Sequence, residues 1–463
     1  MSQAYANAGE PSETTATQTA SLFDRERRAL SIGAIALVAM GAFEALAVAT
    51  AMPTVARALD GLSLYALAFG GSLAASVVGM VAAGAWADRR GPAAPLRQGI
   101  AWFALGLLIA GLAPSMGWLL LGRVVQGYAG GLMSVSLYVA VGRTYPEALR
   151  PRIFAAFAAA WVIPAVVGPA ISGAIVEHLG WRWVFLSVPA LALAAAALVL
   201  PALRGLATPP AAADPVARTR LYWAVGAATS ALLLHLAGHW PGIARWAGLA
   251  LAVAALILCA RRLLPVGSLR AARGLPTVIA LRGLASAAFF GTEVFVPLLL
   301  SREHGWSPTA AGLVLTLGAV GWSTGSWYRG RPRQRYAAPQ VLRAGLLGIA
   351  LGAAAIAATL LPAAPVALGV AGWLLAGLGM GLVYPTLSVL ALELSPPESQ
   401  GINVSALQLG DALFTASVLA VGGTLFAALL PVAPSAAYLA GFGVSLALAA
   451  LGAWLAPRVR PVG

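Results

Sequence analysis

Apolar stretches of about 20 residues recur from one end of the chain to the other. A helix of that length is long enough to cross the hydrocarbon core of a bilayer. In lipid, only helices and closed barrels satisfy every backbone hydrogen bond, and the alternating pattern of barrel strands is absent. The chain is 60% hydrophobic and 10% charged. The sequence therefore predicts an all-α polytopic membrane protein.

The apolar pattern predicts about fourteen transmembrane helices. They are drawn at 30–51, 63–86, 98–114, 116–142, 153–177, 183–203, 221–239, 243–263, 276–300, 308–328, 340–361, 365–391, 402–430 and 435–456. The seventh and eighth segments are the least certain, and without them the chain would be a twelve-span protein with a long cytoplasmic linker. Faint similarity between the two halves predicts two six-helix bundles with a substrate site at their interface. The predicted regions are a disordered cytoplasmic tail (1–29), an N-terminal bundle (30–203), a linker with two inserted helices (204–275), a C-terminal bundle (276–456) and a second tail (457–463).

The positions of the arginines predict the orientation of the chain. The sequence holds 29 basic residues, all of them arginine, and most lie in the tails and in the loops on one side of the predicted helices. Cytoplasmic loops of membrane proteins carry such an excess. The net charge of +14 therefore indicates orientation rather than nucleic-acid binding, with both termini in the cytoplasm. Because the ATP-binding motif GxxxxGK[ST] needs a lysine, ATP-driven pumping by this chain alone is excluded.

One carboxylate, Glu44, lies near the middle of the apolar stretch from Leu30 to Leu59. An acid at that depth costs a few kcal/mol and is usually kept where it faces a protein interior or a water-filled path. Counting about 1.5 Å per residue places Glu44 and Arg123, in the fourth segment, at similar depths, so the two charges are expected to pair. A proton or a cationic substrate would compete with Arg123 for the carboxylate, whereas the alternative is a purely structural ion pair.

Two further acids lie in later segments. Asp411 is expected to face a cavity because Gln408, one helical turn away, extends a polar stripe on the same face. Glu293 lies closer to the outer surface and is expected either to pair with Arg282 or to reach water. Candidate cavity-lining residues are Gln126, Trp161, Phe289, Tyr384, Gln408 and Phe414. Aromatic residues at such positions also pack in lipid or in a core.

Two motifs in the N-terminal half resemble those of the major facilitator superfamily. The stretch GAWADRRGPAAPL contains Gly84, Asp88, Arg89 and Gly91 and resembles GxLaDRxGRkxxl, although Pro and Ala replace the usual basic pair after the last of these residues. The resemblance implies that these residues form a gate at the cytoplasmic end of the second helix, where a small glycine also permits close packing. The stretch LGRVVQGYAGG, which contains Arg123, resembles lxxxRxxqGxgaa.

Three more stretches resemble drug exporters of that superfamily. Gly168, Pro169 and Gly173 lie in AVVGPAISG, which is similar to the GPxxGG core of the antiporter motif. Glu44 stands nine residues before Pro53, as the acid of LDxTIVNVALP does in fourteen-span drug:proton antiporters, with Glu in place of Asp. The stretch HLGWRWVFLSVP is similar to WRWIFLINVP in the same group.

The resemblance implies a multidrug efflux transporter that exports a small lipophilic or cationic compound in exchange for protons by alternating access. The alternatives are a uniporter, or an exporter of a lipid or siderophore without proton coupling. A non-transporting sensor or a membrane-embedded enzyme is less favoured, since no soluble module and no cluster of catalytic acids or metal ligands occurs. We expect no enzymatic activity, no cofactor and no metal, and a monomer in the bacterial inner membrane whose partners are substrate, protons and lipids.

Overall fold

The computed structural model describes residues 21–25, 27–146, 149–203, 215–238, 240, 242–331, 336–396 and 400–460. Within these ranges the chain is helical and contains no β-strand. Most of the predicted N-terminal tail, most of the 204–220 linker loop and the last residues of the C-terminal tail lie outside the described residues. The all-α prediction is confirmed for the rest.

Seventeen α-helices follow one another along the described chain. They are α1 (Arg28–Ala58), α2 (Tyr65–Arg90), α3 (Ala93–Gly111), α4 (Met116–Thr144), α5 (Arg150–Ala159), α6 (Val162–His178), α7 (Arg182–Leu186), α8 (Val188–Ala202), α9 (Pro215–Ala237), α10 (Gly242–Leu263), α11 (Leu275–Glu293), α12 (Val296–Glu303), α13 (Pro308–Arg329), α14 (Ala338–Ala358), α15 (Val366–Glu393), α16 (Gln400–Leu429) and α17 (Pro434–Leu455).

Twelve helical segments of the described chain are long and apolar enough to cross a membrane. The helices α9 and α13 have 23 and 22 residues, which is also sufficient length, but they are not among these twelve. The fourteen-span count is therefore not confirmed. The seventh and eighth predicted spans, which were the least certain, correspond to α9 and α10, and only α10 is among the twelve. The tenth predicted span corresponds to α13, and its absence from the twelve was not expected.

Prolines divide three of the predicted spans into two helices each. The segment drawn at 153–177 becomes α5 and α6, because Pro164 has no N–H to donate to the carbonyl of Ala160, four residues earlier. Pro189 and Pro297 likewise stand in the first turn of α8 and α12, a position where the missing donor is tolerated. Each pair of helices still continues in one direction as a single broken span.

The helices pack in two groups. In the first half, α2 and α3 lie against α4, and α1 lies against α6 and α8. In the second half, α15 lies against α13 and α14, and α11 lies against α16 and α17. Small residues allow these approaches: a Cβ added at Gly127 of α4 would overlap the backbone of α2, and one at Gly377 of α15 would overlap that of α13. The predicted domain boundaries stay predictions.

We call the end of the helical body where α1 ends and α2 begins the distal end, and the end where α1 begins the proximal end. The two groups meet mainly in the distal half. There α6 packs on α13, and α2 packs on α16. The Tyr65 hydroxyl, at the start of α2, donates to the carbonyl of Val294 between α11 and α12 at 2.8 Å. The helix α9 lies against both α2 and α16, so it contacts both groups.

Candidate functional site

Glu44 of α1 and Arg123 of α4 form a buried ion pair. The Nη1 of Arg123 lies 2.5 Å from Oε1 of Glu44, and each residue is only 6% exposed. The same Nη1 donates to Oε1 of Gln126 at 2.6 Å, and the Nε donates to the carbonyl of Ala68 on α2 at 3.2 Å. The pairing expected from the depth count is thus present, and three helices contribute to it.

Gln126 serves the ion pair rather than an open cavity. Its side chain lies one turn beyond Arg123 on α4 and is 2% exposed, so the expectation that it lines a cavity does not fit this structure. Its carbonyl oxygen supplies a second acceptor to the guanidinium, which would keep a partner if Glu44 became neutral.

A second ion pair lies in the other half of the molecule. The Nε of Arg282 on α11 donates to both carboxylate oxygens of Asp411 on α16, at 3.1 and 2.9 Å. Asp411 also accepts from the hydroxyls of Ser286 at 2.8 Å and Tyr384 at 3.1 Å. Each carboxylate oxygen therefore accepts two hydrogen bonds, and the network joins α11, α15 and α16.

The guanidinium of Arg282 is fixed on its other side as well. Its Nη1 donates to the hydroxyl of Ser388 at 2.8 Å and to the carbonyl of Tyr384 at 3.2 Å. Its Cζ lies 3.0 Å from the centre of the Tyr384 ring, a cation–π contact. The pair of Arg282 with Asp411 was not among the predicted contacts, although the depth count used for Glu44 brings these two charges within about 6 Å along the helix axes.

Glu293 does not pair with Arg282, contrary to one of the two expectations for it. It lies at the C-terminal end of α11 and is partly exposed, and no ion pair of its carboxylate occurs among the described residues. Helical spacing places it three turns beyond Arg282 on the same face of α11. Three helical turns separate Glu293 from Arg282 by about 16 Å, and the Nε of Arg282 donates to both carboxylate oxygens of Asp411 instead.

The candidate lining residues lie in several environments. Phe289 is 3% exposed and stacks on Trp373 with ring centres 4.7 Å apart, so it belongs to the core of the second half. The partly exposed ring of Tyr384 lies 5.3 Å from that of Trp322. Trp161 is exposed at the break between α5 and α6.

Gln408 and Phe414 occupy different contacts on α16. The hydroxyl of Ser134 on α4 donates to Oε1 of Gln408 at 3.3 Å, which makes a polar contact between the two halves. The ring of Phe414 covers Gly283 of α11, where no larger residue would fit without moving it. Gln408 is therefore better placed than Phe414 to meet a molecule between the halves.

The gating motif lies at the proximal end of α2. Asp88 and Arg89 are exposed, and Gly91 ends the helix with a positive φ of 78°, which glycine adopts without strain. A Cβ at Gly84 would meet no atom within 4 Å. The expected close packing at Gly84 is therefore absent, because α4 approaches a different face of α2, where Ala83 and Ala87 are buried and Arg143 donates to the Ala87 carbonyl at 3.2 Å.

The antiporter motif connects both halves. Gly168 of α6 faces Phe43 of α1, the neighbour of Glu44, and a Cβ there would lie 3.4 Å from its ring. On the other face of α6, Gly173 lies against the backbone of Thr309, and the Pro169 carbonyl lies against Gly312 of α13. Small residues in the motif thus allow α1 and α13 to press against α6.

Comparison with known proteins identifies the family. Residues 30–410 and 278–463 match the family model described as Major Facilitator Superfamily. A Mycobacterium tuberculosis protein named "Probable multidrug-efflux transporter" is 30% identical over 410 residues, which cover 84% of this chain and 85% of that protein. The multidrug transporter protein MdtP of Bacillus subtilis is 26% identical over 394 residues, covering 83% of this chain and 72% of that protein.

Solved structures share the fold at low sequence identity. A crystal structure of a POT family transporter superposes with a TM-score of 0.67 and 14% identity, covering 93% of this chain and 96% of that chain. A human organic anion transporter superposes with a TM-score of 0.61 and 15% identity, covering 93% and 99%. These proteins are transporters and not enzymes. With its helical architecture and its matched ranges, the chain belongs to the Major Facilitator Superfamily.

Proposed function

We propose that the chain is a proton-coupled transporter that exports a small lipophilic or cationic compound by alternating access. The observation that carries this proposal is the buried carboxylate of Glu44, held 2.5 Å from Arg123 in the membrane-embedded body. The names of the relatives in Mycobacterium tuberculosis and Bacillus subtilis support a drug as the substrate class.

The geometry around Glu44 supports an exchange of proton against substrate. The ionised carboxylate is stabilised by the adjacent guanidinium, because opposite charges attract strongly where water is excluded. When a proton neutralises Glu44, Arg123 keeps Gln126 and the Ala68 carbonyl as acceptors, so its charge does not lose every partner. A cationic substrate would compete with the same proton for the carboxylate, and this competition couples the two fluxes.

We further propose that the distal end faces the outside of a bacterial inner membrane, with both termini in the cytoplasm. The excess of arginine at the proximal end supports this orientation. The contacts between the halves in the distal part, and the exposed gating motif at the proximal part, then support a state that is closed to the outside.

We also retain fourteen membrane spans as a proposal. The helix α13 packs against α6 on one side and α15 on the other through glycines, which lower its apolar content without removing it from the helical body. The helix α9 likewise packs on α2, α10 and α16, as an embedded helix would.

The test is transport by purified protein in proteoliposomes. We expect an imposed pH gradient to drive accumulation of ethidium by the wild-type protein. Glu44→Gln should abolish this coupled flux, because the amide cannot take up a proton. Asp60→Asn makes the same type of change at an exposed distal position and serves as the matched control.

Two outcomes would contradict the proposal. Unchanged coupled flux in Glu44→Gln would remove the assigned role of that carboxylate. Wild-type flux that does not respond to the pH gradient would favour the uniporter, or an exporter of a lipid or siderophore without proton coupling. The helix content and the monodisperse elution of Glu44→Gln should match those of the wild type, which shows that the variant is folded.

A further inference from the structure

A carboxylate at the distal end joins the two halves of the molecule. Glu177 lies one residue before the end of α6 in the first half and is exposed. Its Oε1 accepts a hydrogen bond of 2.9 Å from the backbone N–H of Thr309, the second residue of α13 in the second half. Neither the gating motif nor the antiporter motif includes Glu177.

The first turn of α13 offers a favourable position for this acid. The N–H groups at the start of a helix have no partner within the helix, and the helix dipole places partial positive charge there. Ser307 satisfies one of these groups by accepting from Ala310 at 3.3 Å. The first turn of α13 contains no acidic residue of its own. Glu177 of the first half therefore supplies the negative charge that an acidic residue in the first turn of a helix often supplies.

The bond depends on the packing of α6 against α13. Gly173 lies directly against Thr309, so α6 and α13 meet without an intervening side chain. Further along, the hydroxyl of Thr316 donates to the carbonyl of Val166 at 3.1 Å. A separation of the helices by 1–2 Å, on the order that allosteric helix shifts show, would stretch the 2.9 Å bond beyond hydrogen-bond distance.

We propose that Glu177 is a gating residue whose ionised carboxylate holds the distal end closed and whose protonation favours opening. The proposal rests on alternating access as the proposed function. The titratable group whose charge acts on Glu177 among the described residues is His178 on the same helix. From α13, Glu177 accepts from the Thr309 N–H, and the nearby hydroxyls of Thr309 and Ser307 do not titrate in this range.

The direction of the pH effect follows from the charge. The ionised form interacts with the start of α13 only when the distal end is closed, so neutral pH favours the closed state. Acidification of the distal side neutralises the carboxylate and removes this preference. The interaction free energy of an exposed acid with a helix start is large enough to change the ratio of closed to open states by about two- to fivefold. The outside of an energised bacterial membrane is the acidic side, so the same gradient that supplies protons would promote opening towards them.

Distances between spin labels in nanodiscs test the proposal. Leu112→Cys and Leu361→Cys place labels on exposed distal positions of the two halves, in a Cys259→Ala background that removes the single native cysteine. We expect the ratio of long to short distances to rise about two- to fivefold as the pH falls through the range in which exposed carboxylates gain a proton. Glu177→Gln should show the raised ratio already at neutral pH and lose the response to acid.

Two control variants separate the charge from packing. Thr316→Val removes a hydrogen bond of the same interface without changing charge, so it should shift the ratio and keep the acid response. Asp60→Asn removes an exposed distal charge that makes no ion pair with the described residues of the second half, so it should behave as the wild type. Glu177→Gln with a wild-type ratio and a wild-type acid response would overturn the proposal. Because these distances are equilibrium quantities, they remain informative even if the Glu44→Gln flux assay rejects proton coupling.

Discussion

Removal of Arg123 while Glu44 stays in place leaves a carboxylate without its counter-charge in a buried position. We predict that Arg123→Met is strongly destabilising, whereas Arg123→Met combined with Glu44→Gln is much less so. Both variants lose the hydrogen bonds from Arg123 to Gln126 and Ala68, so the difference between them reports the uncompensated charge alone.

The size of the difference depends on pH. Breaking a buried ion pair by removing one partner costs about 3–5 kcal/mol. The carboxylate can escape that cost by taking up a proton, which for an ordinary glutamate requires about 4 kcal/mol at pH 7 and about 1 kcal/mol at pH 5. The single variant should therefore lose about 3–4 kcal/mol relative to the double variant at pH 7 and only about 1 kcal/mol at pH 5.

Reversible unfolding in mixed micelles, measured at both pH values, provides the free energies of unfolding. Relative to the wild type, the free energy of unfolding of the double variant should differ little between the two pH values, because the carboxylate of Glu44 has been removed. A single variant as stable as the double one at pH 7 would refute the reasoning, since the carboxylate would then be solvated well enough to need no partner.

Two further predictions use the same unfolding measurement. Gly377→Ala places a Cβ into the backbone of α13 and should lower the free energy of unfolding by about 1–3 kcal/mol. Gly130→Ala, where a Cβ meets no atom within 4 Å, should be neutral or stabilise the protein by up to about 1 kcal/mol. Equal effects of the two substitutions would contradict the packing described for Gly377. Asp411→Asn leaves a buried guanidinium without its carboxylate and should cost about 3 kcal/mol or more, whereas Tyr384→Phe removes one hydroxyl from the same network and should cost about 0.5–1.5 kcal/mol.

The sequence was most informative where one physical rule acts alone. Lipid excludes unpaired backbone groups, so apolar length was sufficient to predict the helices. A single charge per span and a fixed rise per residue were sufficient to predict the contact between Glu44 and Arg123. Length and apolar content did not agree for α13, because the glycines that let it pack closely on α6 and α15 are less apolar than the residues of an ordinary lipid-facing span.

Other features depend on which helices become neighbours. Arg282 had Asp411 and Glu293 as candidate partners, and only the packing of α11 on α16 decides between them. Phe289 is an aromatic residue on a span, and the stacking of Trp373 behind it places it in the core. Glu177 stands at the end of a helix, and its partner belongs to a helix more than a hundred residues later. No periodicity within one segment contains this information.

The two ion pairs lie at different depths, and this difference bears on how the halves work together. Counting from the proximal helix ends, Glu44 lies about 24 Å along α1 and Asp411 about 16 Å along α16. With the distal end closed, the side chain of Glu44 is 7% exposed and that of Asp411 is 17% exposed, so the pair nearer the proximal end is the more accessible one. In the proposed alternating access, opening of the distal end would expose the Glu44 side of the body, since the contacts that separate next to Tyr65 and Gly173 lie on that side. A proton that enters from the distal side would then reach Glu44 only in the state in which the proximal path is closed, which is the condition that proton exchange requires.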